Sequence, residues 1–234
     1  MIVDRAIYQG GKRIESSGSL SDLHAACERG DGIAWLGLYR PDAAEFADMA
    51  ARFGLHPLAV EDAVNAHQRP KLEYYGDSIF LVLRPARYLE GEHQIELGEV
   101  HVFAGPHFVI TVRHSETPDL AIVREKLESR PDLLARGPGA IVHAIVDRVV
   151  DDYEQVVSEL QRDIDEIEDE VFDGSPAVSR RIYAITREVI ALQRATRPLV
   201  PILAELIADL QVDDQEARYL RDLKDHAIRV QDDV

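Results

Sequence analysis

Residues 138–173 read PGAIVHAIVDRVVDDYEQVVSELQRDIDEIEDEVFD, and their apolar side chains Val142, Ile145, Val149, Tyr153, Val156, Leu160, Ile164, Ile167 and Val171 recur at intervals of three and four. That spacing places them on one face of an amphipathic helix which, at 1.5 Å per residue, runs for about 50 Å. Next, Asp173-Gly174-Ser175-Pro176 supplies a C′ glycine, an N-cap serine and an N1 proline, which predicts a tight turn with Gly174-Ser175 at its tip. Beyond it Ile182, Ile185, Val189, Leu192, Thr196, Leu199, Leu203, Leu206 and Leu210 alternate three and four strictly. This 3.5-residue repeat favours antiparallel packing of a second helix, about 176–209, on the first, about 140–173. Pro198 and Pro201 are expected to kink it. Asp213-Asp214 offers an N-cap for a third helix over about 214–234, with Leu220, Leu223, Ala227 and Val230 on one face. No capping signal precedes Val234, so this helix reads as cut short.

Upstream of the breaker cluster Arg136-Gly137-Pro138-Gly139 the pattern is different, which predicts a boundary between residues 1–137 and 138–234. Segments 33–38, 78–84, 98–103 and 107–112 are short and rich in β-branched or aromatic residues, and read as strands. Pro41 to Phe53, Pro57 to Asn65 and Pro118 to Ser129 read as helices, each opened by a proline near its first turn. Gly91 to Phe103, Gly105-Pro106 and His107 to Arg113 suggest a hairpin. Together these elements make an α/β domain with a mixed sheet.

The 234 residues carry 26 Lys plus Arg against 43 Asp plus Glu, a net charge of −17, with 46% hydrophobic residues, enough for one large domain or two small ones. Residues 138–234 hold 22 of the acids and 11 of the bases, so the excess is concentrated there. Such acidity argues against a nucleic-acid binder, because phosphate affinity rests on Lys and Arg. No apolar run approaches the roughly 18 residues of a membrane span. The N-terminus lacks the pattern of a secretory signal and a lone Cys27 cannot form an internal disulfide, so a reducing cytosol is the expected setting. There is no G-x-x-x-x-G-K, no G-x-S-x-G and no histidine beside Cys27, and no enzymatic activity is expected.

Three groups of residues could hold a cation. His56, Glu61, Asp62 and His67 surround one predicted helix, although their spacing matches no zinc motif and also suits a polar surface. The run from Asp151 to Asp173 contains eleven acids, usually a solvated face, whose mutual repulsion divalent cations could relieve. Asp222 and Asp225 share the last helix with Lys224 and Arg229, which suits an ordinary charged flank equally well.

The segment Gly54-Leu55-His56-Pro57-Leu58-Ala59-Val60-Glu61-Asp62, followed by His67-Gln68-Arg69-Pro70-Lys71-Leu72-Glu73, resembles the signature of the CorA-type magnesium and cobalt transporters. Ile145-Val146-Asp147, Asp151-Asp152-Tyr153, Asp165-Glu166-Ile167-Glu168, Pro198-Leu199 and Arg221 to His226 follow in the family's order. The resemblance covers nearly the whole chain and is weakest over residues 1 to about 32. It implies a three-layer α/β/α cytoplasmic domain, a long antiparallel helical hairpin and the start of a stalk helix, five copies of which form a funnel. The family's two membrane helices and Gly-Met-Asn motif are not in this sequence, so the chain resembles the cytoplasmic part alone, attached to the inner membrane through those helices.

The resemblance also implies an Mg²⁺ site between subunits that joins Asp62 of one copy to Asp225 of its neighbour, with Glu61 and Asp147 as candidates for an adjoining ion. Magnesium keeps several waters and is commonly held by one or two carboxylates, as a sensor requires. Co²⁺ is the second candidate ion, and a zinc-transporting relative is the alternative within the same architecture. A soluble acidic helical interaction module and a carboxylate-dependent metalloenzyme are the alternatives outside it. The isolated fragment is expected to be monomeric or weakly associated, because a charge of −17 opposes close approach of copies.

Overall fold

The computed structural model describes residues 2–14, 19–30, 32–172, 178–209 and 214–234. The chain opens with β1 (Ile2–Gln9), β2 (Lys12–Ile14), α1 (Leu20–Arg29), β3 (Ile33–Tyr39), α2 (Ala43–Phe53) and α3 (Pro57–Asn65). It continues through β4 (Lys71–Tyr75), β5 (Ser78–Leu83), β6 (Ala86–Leu89), β7 (Gln94–Leu97), β8 (Val100–Gly105) and β9 (Phe108–Arg113). Then come α4 (Leu120–Glu128), α5 (Pro131–Leu134), α6 (Pro138–Phe172), α7 (Val178–Thr196), α8 (Leu199–Ala208) and α9 (Asp214–Asp233).

Seven strands form one sheet in the order β2-β1-β3-β9-β8-β5-β4, while β6 and β7 pair as a separate ribbon. The sheet is mixed: β3 runs parallel to β9, from Ala34 opposite Phe108 to Tyr39 opposite Arg113, and its other pairings are antiparallel. Helices cover both faces, which is why Ile33 to Leu38 can be apolar without alternation. Ala34, Leu36 and Leu38 point towards Leu23, Phe46, Met49, Ala59 and Ala63 of α1–α3. Ile33, Trp35, Leu81, Val102 and Val109 point the other way, into a core shared with α4, α6, α7, α8 and α9.

Most of the α6 stripe is buried, but Ile164 and Val171 are exposed. Asp163 is buried instead: it accepts from Tyr88 Oη at 2.5 Å and lies 2.8 Å from His93 Nδ1, so the β6–β7 ribbon is fastened to the helix by polar contacts. On the returning helix Ile182 is exposed, Ile185 and Val189 are half-buried, and Leu192, Leu199, Leu203 and Leu206 are buried. The expected kink is a complete break: α7 ends at Thr196 and α8 begins at Leu199, because Pro198 has no N–H to continue the ladder. Pro201 then falls in the first turn of α8, where that donor is not needed. The predicted tip Gly174-Ser175, together with Leu210 and Asp213, lies outside the described residues.

Two local expectations need correction. Only Pro57 occupies the first turn of its helix; Pro41 and Pro118 precede the capping residues Asp42 and Asp119. The arm expected over 91–103 is interrupted at Gly98, whose N–H donates to Pro85 O at 2.7 Å and where a Cβ would meet Ser115 Oγ at 2.1 Å. Residues before this point pair with β6, and residues after it form β8, whose hairpin with β9 is as expected.

Candidate metal centre and motif loop

The motif segment is built around the short helix α3. His56 caps it, with Nδ1 accepting from Leu58 N at 3.3 Å and the ring stacked 4.0 Å from Tyr75, and Pro57 occupies the first turn. Burying Ala59 and Ala63 turns Glu61 fully outward and leaves Asp62 half-buried. Lys71 Nζ lies 2.7 Å from Asp62 Oδ2 and 2.9 Å from Glu73 Oε1, so the lysine of the motif is the internal counter-ion of its aspartate. Burial pulls the Lys71 amine down, but hydrogen bonds to Asp62 and Glu73 outweigh it and hold the amine above its ordinary value.

Between α3 and β4 the chain passes through Ala66 at φ 56° and His67 at φ 62°, two successive non-glycine residues in the left-handed region. A buried polar cluster holds them there. Gln68 N donates to Glu99 Oε1 at 3.1 Å, Gln68 Nε2 donates to Ala66 O at 3.3 Å, and Arg84 Nη1 reaches both Gln68 O and Glu99 Oε2 at 3.4 Å. Glu99 is 5% exposed and lies 2.6 Å from Nε2 of His101, which is 0% exposed. Burial pushes the Glu99 carboxyl up, but His101, the Gln68 amide and Arg84 together bring it below the usual carboxylate range. His114 Nε2 lies 2.7 Å from Ala63 O and closes the cluster against α3; burial holds its imidazole below the ordinary value.

Asp147 and Asp225 stand on the opposite side of the sheet. Asp147 of α6 lies 3.6 Å from Lys126 Nζ, beside His143 and Asp151 in a cavity of about 190 Å³ bordered by α4, α6 and α9. Burial holds His143 below its ordinary value against the opposing charge of Asp147, and burial followed by Asp147 raises Asp151. Asp225 is exposed on α9 and makes no ion pair among the described residues. The structure therefore brings together Asp62, Lys71, Glu73 and His56, with Glu61 adjacent. It does not bring Asp62 to Asp225, or Glu61 to Asp147, within one chain. His67, Arg69 and Pro70 line a separate cleft.

Sequence reasoning missed Glu99, His101 and His114, the buried support of the motif loop. It placed Asp163 and Glu166 in the acidic run but missed His93, with which they bring three ligand-type atoms within 4.8 Å of one another, although Glu166 also pairs with Arg181 at 3.2 Å. Among the described residues no helix is long and apolar enough to cross a membrane.

The sequence profile of the family described as CorA-like Mg2+ transporter protein matches residues 30–234. The putative metal ion transporter YfjQ of Bacillus subtilis is 31% identical over 203 residues, covering 86% of this chain and 62% of that protein. The cobalt/magnesium transport protein CorA of Thermotoga maritima is 27% identical over 202 residues, covering 85% and 57%. The chain thus spans about three-fifths of the length of these curated relatives. The solved soluble domain of CorA from Methanocaldococcus jannaschii superposes with a TM-score of 0.78 at 13% identity, covering 100% of this chain and 92% of that one, and shares its fold.

Proposed function

The chain belongs to the CorA-like Mg²⁺ transporter protein family, and we propose that within it this polypeptide is the cytoplasmic, cation-sensing part of a magnesium or cobalt transporter. One observation carries the reading: the candidate ligands lie on opposite outer layers of the fold, Glu61 and Asp62 on α3 and Asp147 and Asp225 on α6 and α9. Half-sites on opposite faces cannot share an ion within one chain, but they meet when copies associate face to back. That heterologous contact closes into a ring when its rotation permits, and a pentamer is such a ring. The donors are all carboxylate oxygens, the hard ligands that suit a partly hydrated Mg²⁺.

The mechanism is negative feedback. With Mg²⁺ abundant, ions between subunits offset the carboxylate charge of neighbouring copies and hold a closed ring. When Mg²⁺ falls, the repulsion of chains at −17 each favours splaying. Each weak site shifts the equilibrium only by its difference in affinity between the two arrangements, so several act together. Within each chain Lys71 keeps Asp62 partly neutralised, which limits the repulsion in the ion-free form.

Thermal melts and sedimentation at high protein concentration test this. An ion at tenfold excess over its Kd stabilises by about 1.4 kcal/mol, which for a chain of this size raises Tm by about 3–6 °C. Mg²⁺ or Co²⁺ should exceed an NaCl control of matched ionic strength and promote association, and Asp62→Asn or Asp225→Asn should remove part of both effects. Identical responses from wild type and both variants would reject the pair.

A further inference from the structure

A cleft of about 670 Å³ opens where the motif loop meets the joint between α7 and α8. Its wall carries His67, Arg69, Arg84, Arg194, Arg197 and Pro198, and among the described residues no carboxylate lines it. In a chain of net charge −17 that is a local reversal of sign. Arg84 is partly neutralised by Glu99 behind it, and among the described residues the Arg197 guanidinium bonds to the neutral Gln193 side chain at 3.1 Å and to no carboxylate. Arg69 and Arg194 are exposed and have no carboxylate partner among the described residues. Guanidinium groups left without counter-ions around a concave site match the geometry and charge of phosphate oxygens.

We infer that this cleft binds a small, free phosphate-bearing anion of two or more negative charges, held by Arg69, Arg194 and Arg197. Bound there, the anion clamps the loop 66–70 to the α7–α8 joint, and so ties the segment that carries Lys71 to the helical layer. The inference is independent of the cation-sensing reading, because none of its ligands is a carboxylate.

Inorganic pyrophosphate, titrated calorimetrically into the chain in metal-free buffer with chelator, tests it without involving the cation site. Saturable binding is expected, with Kd weakened about tenfold or more by Arg69→Gln, Arg194→Gln or Arg197→Gln, as for a lost hydrogen bond to a charged group. Arg180→Gln, on α7 outside the cleft, should leave Kd unchanged. Circular dichroism identifies any variant that fails to fold, and the remaining two then decide. No saturation at millimolar pyrophosphate, or equal weakening by Arg180→Gln, would overturn the proposal. Co-sedimentation with phosphatidylglycerol vesicles without any response to pyrophosphate would also overturn it, in favour of a lipid headgroup.

Discussion

Glu99→Gln removes the charge at the centre of the motif-loop support while keeping the shape of the side chain. The carboxylate takes hydrogen bonds from Gln68 N, His101 Nε2 and Arg84 Nη1 at 3.1, 2.6 and 3.4 Å. A hydrogen bond to a charged group contributes about 1.5–3 kcal/mol, and removing one member of a buried ion pair costs about 3–5 kcal/mol. The amide retains one acceptor and Arg84 can reach water, so the expected loss is about 2–4 kcal/mol. At about 2–4 °C per kcal/mol this lowers Tm by roughly 4–16 °C. Urea unfolding of wild type and variant at pH 7 measures the gap, and amide exchange of residues 66–70 shows whether the loop loosens with it. Because the Glu99 carboxyl is held below its usual range in the fold, its contribution is fully present above the unfolded value of about 4.3 and is lost as pH falls through the folded value. The gap should therefore stay constant near neutrality and narrow in acid. A difference under about 0.5 kcal/mol, the usual size for a surface substitution, or one that does not narrow in acid, would refute the support role.

Other consequences can be checked in the same assays. Tyr153 is buried and its hydroxyl donates to Arg84 O at 2.7 Å. Tyr153→Phe should lower stability by about 1–3 kcal/mol by leaving that carbonyl unsatisfied, and an unchanged urea midpoint would contradict the bond. His114 and His143 are both held below the ordinary imidazole value by burial. An unfolded chain therefore takes up protons first, and stability should fall as pH drops below about 6.5. Replacing both by Gln should flatten the pH 5–7 part of the stability profile, and an unaltered slope would assign it to other groups.

Where the sequence carries a period, the fold was legible. The α6 stripe reads directly as one helix because its burial against the sheet requires three-and-four spacing through Leu160. The limits of α3 follow from Pro57 and the residues after Asn65. Polar groups that face inward left no comparable trace. Glu99 and His101 look like solvent-facing members of an alternating strand, and what keeps them inside, Gln68 and Arg84, lies 31 and 15 positions away in the chain. Asp163 sits in a run of acids that reads as a solvated face, yet its partners Tyr88 and His93 come from 75 and 70 positions upstream. The candidate cation ligands were legible through the motif, whereas their separation onto opposite layers depends on the topology of the sheet. The arginine cleft is assembled from the motif loop and the α7–α8 break, segments more than 120 positions apart, and no local pattern announces it.

The parallel pairing of β3 with β9 has a consequence during synthesis. Ala34 cannot meet Phe108 until the 74 positions that follow it, Phe108 included, have been made, which at roughly 5–20 residues per second takes about 4–15 s. Throughout that interval Ile33-Ala34-Trp35-Leu36-Gly37-Leu38, apolar on both sides, has only its β1 edge paired. The nascent chain therefore presents a sticky open strand edge on the ribosome, and the delay before β9 emerges is when a chaperone would be of most use to it.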